Sequence, residues 1–275
     1  MAGAIVFAGI APHPPLLVPE IGGERIEQVA SSQRALREFS RRLVDAKPET
    51  IVVISPHSPL KPQMFTARAA PTLKGDFRDF RSPDVSLSFP NDLELIDAIQ
   101  RASQVEGIDF RSLDLDYPLD HGALVPLYYL HEAGWREQVV VIGFTLQSIE
   151  HHLAFGRAIA RAAESVQRSV AIVASGDLSH RLIVGGPYDY EPLAHLFDEQ
   201  IVDAINRGDP NGVIGVEPTL RERAGECGYR SIIIALGTVS EDLSEHQVLS
   251  YEGPFGVGYM VAVLTDKRRQ PISER

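Results

Sequence analysis

Val170-Ala171-Ile172-Val173-Ala174 is apolar at every position and then breaks into Ser175-Gly176-Asp177-Leu178-Ser179-His180. A short apolar run bounded by Gly and Asp reads as a strand buried on both faces, the kind that fills the middle of a parallel sheet. Four runs resemble it: Ala4–Ile10, Ile51–Ser55, Val139–Phe144 and Val257–Leu264. Helical patterns lie between them. Glu24–Ala46 places Ile26, Val29, Ala30, Leu36, Phe39 and Leu43 near a 3.6-residue period; Asp92–Ser103, Gly122–His131, Ile149–Val166 and Leu193–Asn206 follow, with a shorter one over Gly228–Leu236. Alternation of this kind predicts a single-domain α/β fold, a mostly parallel central β-sheet flanked by helices on both faces. The expected core is residues 4–265, followed by a basic and polar tail over 266–275. Lys61–Pro90 lacks helical period and reads as a long excursion with two short strands.

Composition sets the outer bounds. The chain has 275 residues, 44% hydrophobic and 23% charged, which suits a globular protein and excludes a disordered or collagen-like one. Its net charge of −11 disfavours nucleic acid as a partner. Cys227 is the single cysteine, so no intrachain disulfide forms. The stretch Met1–Pro12 has no basic start and reads as a strand, not a signal peptide, and no run approaches eighteen apolar residues. A cytoplasmic protein with no membrane span is expected.

Chemistry gathers at the strand exits. His13 follows the first strand in Pro12-His13-Pro14-Pro15, His57 the second in Ser55-Pro56-His57, and His180 the fourth; His121 opens a predicted helix in Leu119-Asp120-His121-Gly122. Ligands of an open parallel sheet bind beyond the carboxyl ends of its strands, so topology alone gathers three of the four on one edge. Prolines stiffen the loops of His13 and His57, as a metal site requires. Asp177 stands three residues before His180, where it can orient a general base; the plainer alternative is an Asp capping a helix from Leu178. His131, His151, His152, His195 and His246 are expected to play no ligand role, with His151 and His152 facing solvent. Two His and one carboxylate form the set of non-haem Fe(II) oxygenases. Glu226 and Glu252 are the candidate acids, and Cys227 a softer donor that favours zinc or copper. The chain carries no P-loop, no GxSxG and no CxxC.

In this order, Pro12-His13-Pro14-Pro15, Ser55-Pro56-His57, Leu119-Asp120-His121-Gly122, Ser175-Gly176-Asp177-Leu178-Ser179-His180 and Glu226-Cys227-Gly228 resemble the class III extradiol dioxygenases. That superfamily has the LigB-type, phosphorylase-like three-layer sandwich and includes the Memo proteins (the AmmeMemoRadiSam system protein B group). The resemblance implies Fe(II) held by His13, His57 and Glu226, with Cys227 as the alternative third ligand. It implies His180 as acid/base and His121 as a hydrogen-bonding neighbour of substrate or oxygen. The implied reaction opens a catechol-like aromatic diol with O2 beside its two hydroxyls. The alternative is a Memo-like metal protein with a partner-binding or redox role and no ring cleavage; a zinc hydrolase is a third possibility. Relatives also imply a homo-oligomer, and either a small partner subunit or an AMMECR-type partner.

Overall fold

The five apolar runs become the middle of one sheet because each is buried on both sides. A computed structural model describes residues 4–114, 117–239 and 245–267. Its strands are β1 (Ala4–Ala11), β2 (Thr50–Ser55), β3 (Phe65–Arg68), β4 (Thr72–Phe77), β5 (Ser82–Pro90), β6 (Phe110–Leu113), β7 (Gln138–Gly143), β8 (Ser169–Ser175), β9 (Gln247–Glu252) and β10 (Tyr259–Asp266). Its helices are α1 (Pro19–Gly22), α2 (Ala30–Asp45), α3 (Leu93–Val105), α4 (His121–Glu132), α5 (Ile149–Ser165), α6 (Ala194–Asn206), α7 (Pro210–Ile214), α8 (Pro218–Ala224) and α9 (Tyr229–Val239). The eight-stranded sheet runs β6-β3-β7-β2-β8-β1-β10-β9, and β4 and β5 form a separate hairpin.

Side chains alternate between two cores with the period of a strand. Val52, Ile54, Val170, Ile172 and Ile10 point to the layer that holds Leu95 of α3, Phe155 of α5, Ile201 of α6 and Ile232 of α9. Ile51, Val53, Ala171, Val173 and Phe7 point to the layer of Leu36 of α2, Leu127 of α4 and Phe89 of the hairpin. Burying each Val or Ile contributes about 1.5–3 kcal/mol, so the central strands anchor both layers at once.

Several expectations change. β7, β2, β8 and β1 pair in parallel, but the last strand runs antiparallel to β1, as does β9 to β10. The start of β10, rather than its end, therefore meets the exits of β1, β2 and β8. The predicted helix over Glu24–Ala46 divides at Val29, whose φ of −119° and ψ of 23° leave the helical region, into a 3-10 turn and α2. Lys61–Pro90 supplies three strands, not two, and β3 enters the main sheet beside β7 and β6. The expected tail begins later, because β10 continues to Asp266 and the Lys267 N–H donates to Val6 O at 2.8 Å; Arg268 and Arg269 lie outside the described residues. Among the described residues no helix is long and apolar enough to cross a membrane.

Candidate metal centre

The exits of β1, β2 and β8 carry His13, His57 and Asp177 to one edge, and a hydrogen-bond frame fixes their directions. Asp120 caps α4 by accepting from Ala123 N at 3.1 Å, and its two oxygens also accept from the hydroxyls of Ser55 and Ser58. This carboxylate ties the β2 exit to the start of α4 and sets the His57 and His121 rings 4.1 Å apart. A Cβ on Gly122 would lie 2.4 Å from Ser55 Oγ, so the residue after His121 has no room for a side chain.

Ser175 decides the tautomer of His13. Its hydroxyl has one proton, which it donates to Gly122 O at 2.5 Å. It must therefore accept from Nδ1 of His13, 3.0 Å away. Nε2 of His13 is then a bare lone pair. It faces Nε2 of His57 at 3.1 Å, Cys227 Sγ at 3.7 Å and Asp177 Oδ2 at 3.9 Å. Donor atoms of His13, His57 and His121 lie within 4.8 Å of one another, as do those of His13, Asp177 and Cys227. His13 is common to both groups, one of three imidazoles and one of an imidazole, a carboxylate and a thiol, and donors of either kind fit a divalent transition metal ion.

Cys227 reaches this point through a backbone contact. A Cβ on Gly176 would fall 2.1 Å from Gly228 Cα, so only glycine lets the β8 exit and the start of α9 touch. Gly228 N donates to Asp177 O at 2.9 Å, and Asp177 N donates to Cys227 Sγ at 3.3 Å. Glu226 turns the other way, its carboxylate accepting from Tyr229 N at 2.7 Å on the first turn of α9. Glu252 accepts from Ser32 N at 2.7 Å, at the start of α2. Of the three side chains considered from sequence for the third position, the structure brings Cys227 to His13, with Asp177 beside it.

Asp177 caps no helix; it accepts from His13 N at 3.1 Å. His180 follows in an irregular loop. Its N–H donates to Ala224 O at 2.9 Å, its ring stacks on Tyr188 at 4.9 Å, and its Nε2 has no hydrogen-bond partner. Burial holds His121 and His180 down to about 4, with the nearby His57 adding to each, and pushes Asp177 up to about 7. Burial also lowers His13, reinforced by His57, His121 and His180, and raises the Cys227 thiol. The imidazoles are thus neutral near pH 7, the form that binds metal or accepts a proton. His57 is exposed, and the site opens to solvent there.

His152 differs from expectation. It is fully buried, with Nδ1 2.8 Å from Ser148 O and Nε2 3.2 Å from Thr145 O, because the first turn of α5 packs its ring against Phe65. Ser55, Ser58, Asp120 and Ser175 frame the site without having been assigned a role from sequence. Asp before His121-Gly122 is a helix-cap signal that points to the first of these contacts.

The fold and the edge cluster define an α/β protein with a candidate metal site at the strand exits. The family described as the catalytic LigB subunit of aromatic ring-opening dioxygenase matches residues 8–262, and the chain belongs to that family. Protein CA_C1420 of Clostridium acetobutylicum is 31% identical over 263 residues, 93% of this chain and 56% of that protein. A MEMO1 family protein of Pyrococcus abyssi is 28% identical over 68% of this chain and 56% of its own length. This chain therefore spans little more than half the length of these two relatives. A 4,5-DOPA dioxygenase extradiol of Beta vulgaris is 28% identical over 66% of this chain and 69% of its own. The crystal structure of an uncharacterized Escherichia coli K12 protein, JW3007, shares the fold at a TM-score of 0.59 and 18% identity, covering 83% of this chain and 91% of that one.

Proposed function

We propose that the chain is a non-haem Fe(II)-dependent dioxygenase of the extradiol type, opening a catechol-like aromatic diol with O2. The observation that carries this reading is the bare Nε2 of His13 facing Nε2 of His57 at 3.1 Å, with Asp177 beside His13 and the unpartnered Nε2 of His180 at the same edge. We infer that His13 and His57 would hold the ion and that Cys227 or Asp177, both beside His13, would supply the third donor in place of Glu226. Bound iron would lower the pKa of a diol hydroxyl and bring diol and O2 into one coordination sphere.

The remaining chemistry belongs to the chain. His180 is neutral near pH 7 and takes a proton from the diol at Nε2, then returns it to the opened product. His121, stiffened by Asp120 through the cap of α4, offers a hydrogen bond to the substrate or oxygen. Ser175 keeps His13 in the tautomer that leaves Nε2 free. One ring carbon–carbon bond beside the diol breaks, both atoms of O2 enter the product, and no external reductant is needed.

One observation favours a second reading. The thiol of Cys227 lies nearer to His13 Nε2 than the Asp177 carboxylate does, and a thiolate donor suits zinc or copper. A Memo-like metal protein without ring cleavage follows from that set. Anaerobic purification with elemental analysis, then Fe(II) loading and oxygen-electrode readings with catechols, separates the two. Oxygen uptake with a yellow product supports the dioxygenase; tightly held zinc or copper without uptake supports the second reading.

A further inference from the structure

Two aromatic rings stand against the histidines, and neither belongs to the donor set. Phe80 lies at the tip of the β4–β5 hairpin, its ring 5.4 Å from that of His121 and inclined at 68°. Tyr188 lies in the loop after β8, stacked on His180 at 4.9 Å and 21°. Both pairs adjoin the donor residues: the His121 ring is 4.1 Å from that of His57, and His180 follows three residues after Asp177, whose carboxylate accepts from His13 N at 3.1 Å.

Both rings are held in place from behind. The hairpin seats Leu73, Phe77, Leu87 and Phe89 in the core, and Leu119 N donates to Lys74 O at 2.8 Å just before His121. Its tip is a 3-10 turn, Arg78–Phe80, closed by Arg81 at a φ of 63°. A non-glycine residue in the left-handed region costs about 1–2 kcal/mol, and such strain collects at functional sites. The second loop folds back on itself, with Arg181 Nε donating to Asp189 O at 2.8 Å and Glu191 N to Arg181 O at 3.0 Å. Tyr188 is nonetheless 52% exposed, so burial does not account for its stacking on His180.

We propose that Phe80 and Tyr188 are the specificity-determining walls of this site, selecting a ligand whose chelating oxygens are carried on a flat aromatic ring. The inference rests on the proposed function, since it needs a ligand that chelates the ion at His13 and His57. Ring-on-ring contact rewards a planar π-system and gives nothing to an aliphatic chelator of equal bite. The selected substrates are single-ring diols; an aliphatic vicinal diol or hydroxamate reaches the ion without gaining from either wall.

The test uses zinc-loaded protein, which binds without turning over. The probes are 4-nitrocatechol, followed by its absorbance shift, and acetohydroxamate, which chelates without a ring. Phe80→Leu keeps apolar bulk at the hairpin tip, Tyr188→Ala removes an exposed ring, and thermal unfolding confirms that both variants fold. Each variant is expected to weaken 4-nitrocatechol about three- to tenfold, the range of an aromatic pair, and to leave acetohydroxamate within twofold. Equal weakening of both probes, or of neither, overturns the assignment of the walls. If zinc-loaded wild-type protein binds acetohydroxamate but not 4-nitrocatechol, the aromatic-diol reading falls first and the walls with it.

Discussion

Sγ of Cys227 lies 3.7 Å from Nε2 of His13, while the carboxylate of Glu226, one residue earlier, is turned onto the first N–H of α9. Two adjacent donors thus have different tasks. Cys227→Ser is expected to lower metal affinity at least tenfold. Glu226→Ala should keep the metal and lose about 1 kcal/mol of stability, as removal of a helix-start acceptor does. Metal titration paired with thermal melts checks both; loss of metal in Glu226→Ala would restore the carboxylate ligand set.

Proton release adds a second signature of that thiol. Burial keeps the Cys227 thiol protonated in the metal-free chain, so binding an ion must displace the proton. Affinity should rise with pH, and calorimetry in buffers of different ionisation heat should show about one more released proton in the wild type than in Cys227→Ser.

His180→Ala is expected to retain metal and to lose turnover by about 10²–10⁴-fold, the range of a positioned acid/base group. Metal content of the purified variant decides whether His180 is a ligand instead.

Gly176→Ala inserts a methyl 2.1 Å from Gly228 Cα, backbone against backbone, with no side chain free to yield. The melting temperature should fall sharply, and metal binding should fall with it because Cys227 is displaced. A variant with wild-type melting would mean that this contact is not what seats α9.

Asp198 is fully buried on α6, accepting from Ser179 N at 2.8 Å and from the Tyr251 hydroxyl at 2.6 Å; burial pushes it up to about 7. A carboxyl with a raised folded pKa holds its proton more tightly in the native chain. Its stabilising contribution is complete below the unfolded value of 3.8 and is lost as pH rises toward 7. Asp198→Asn keeps the shape and removes the charge, so its stability relative to wild type should improve between pH 5 and pH 8. Denaturant melts at the two pH values read the difference directly.

The centre of the sheet was legible because β1, β2, β7 and β8 are apolar on both faces and leave a continuous run in the sequence. The edges were not. β6 and β9 close the sheet at its two ends, and residues such as Arg111, Gln247 and Tyr251 face outward and interrupt the pattern. α7 and α8 are too short to show a helical period, although each has Pro at its start. The positions of His13, His57 and His180 beyond strand ends were legible because each follows an apolar run; the approach of Asp177 to His13 was not read from sequence. The choice between Glu226 and Cys227 did not, because it turns on where α9 begins, and a one-residue change there exchanges the two side chains.

His13 and Cys227 meet across 214 residues of chain. An ion gripping both closes a loop containing nearly the whole fold, as a covalent staple would, and the chain-entropy estimate for such a loop is about 5 kcal/mol. This staple can be withdrawn by a chelator and restored by an ion. Metal supply would then govern how long the chain survives a protease.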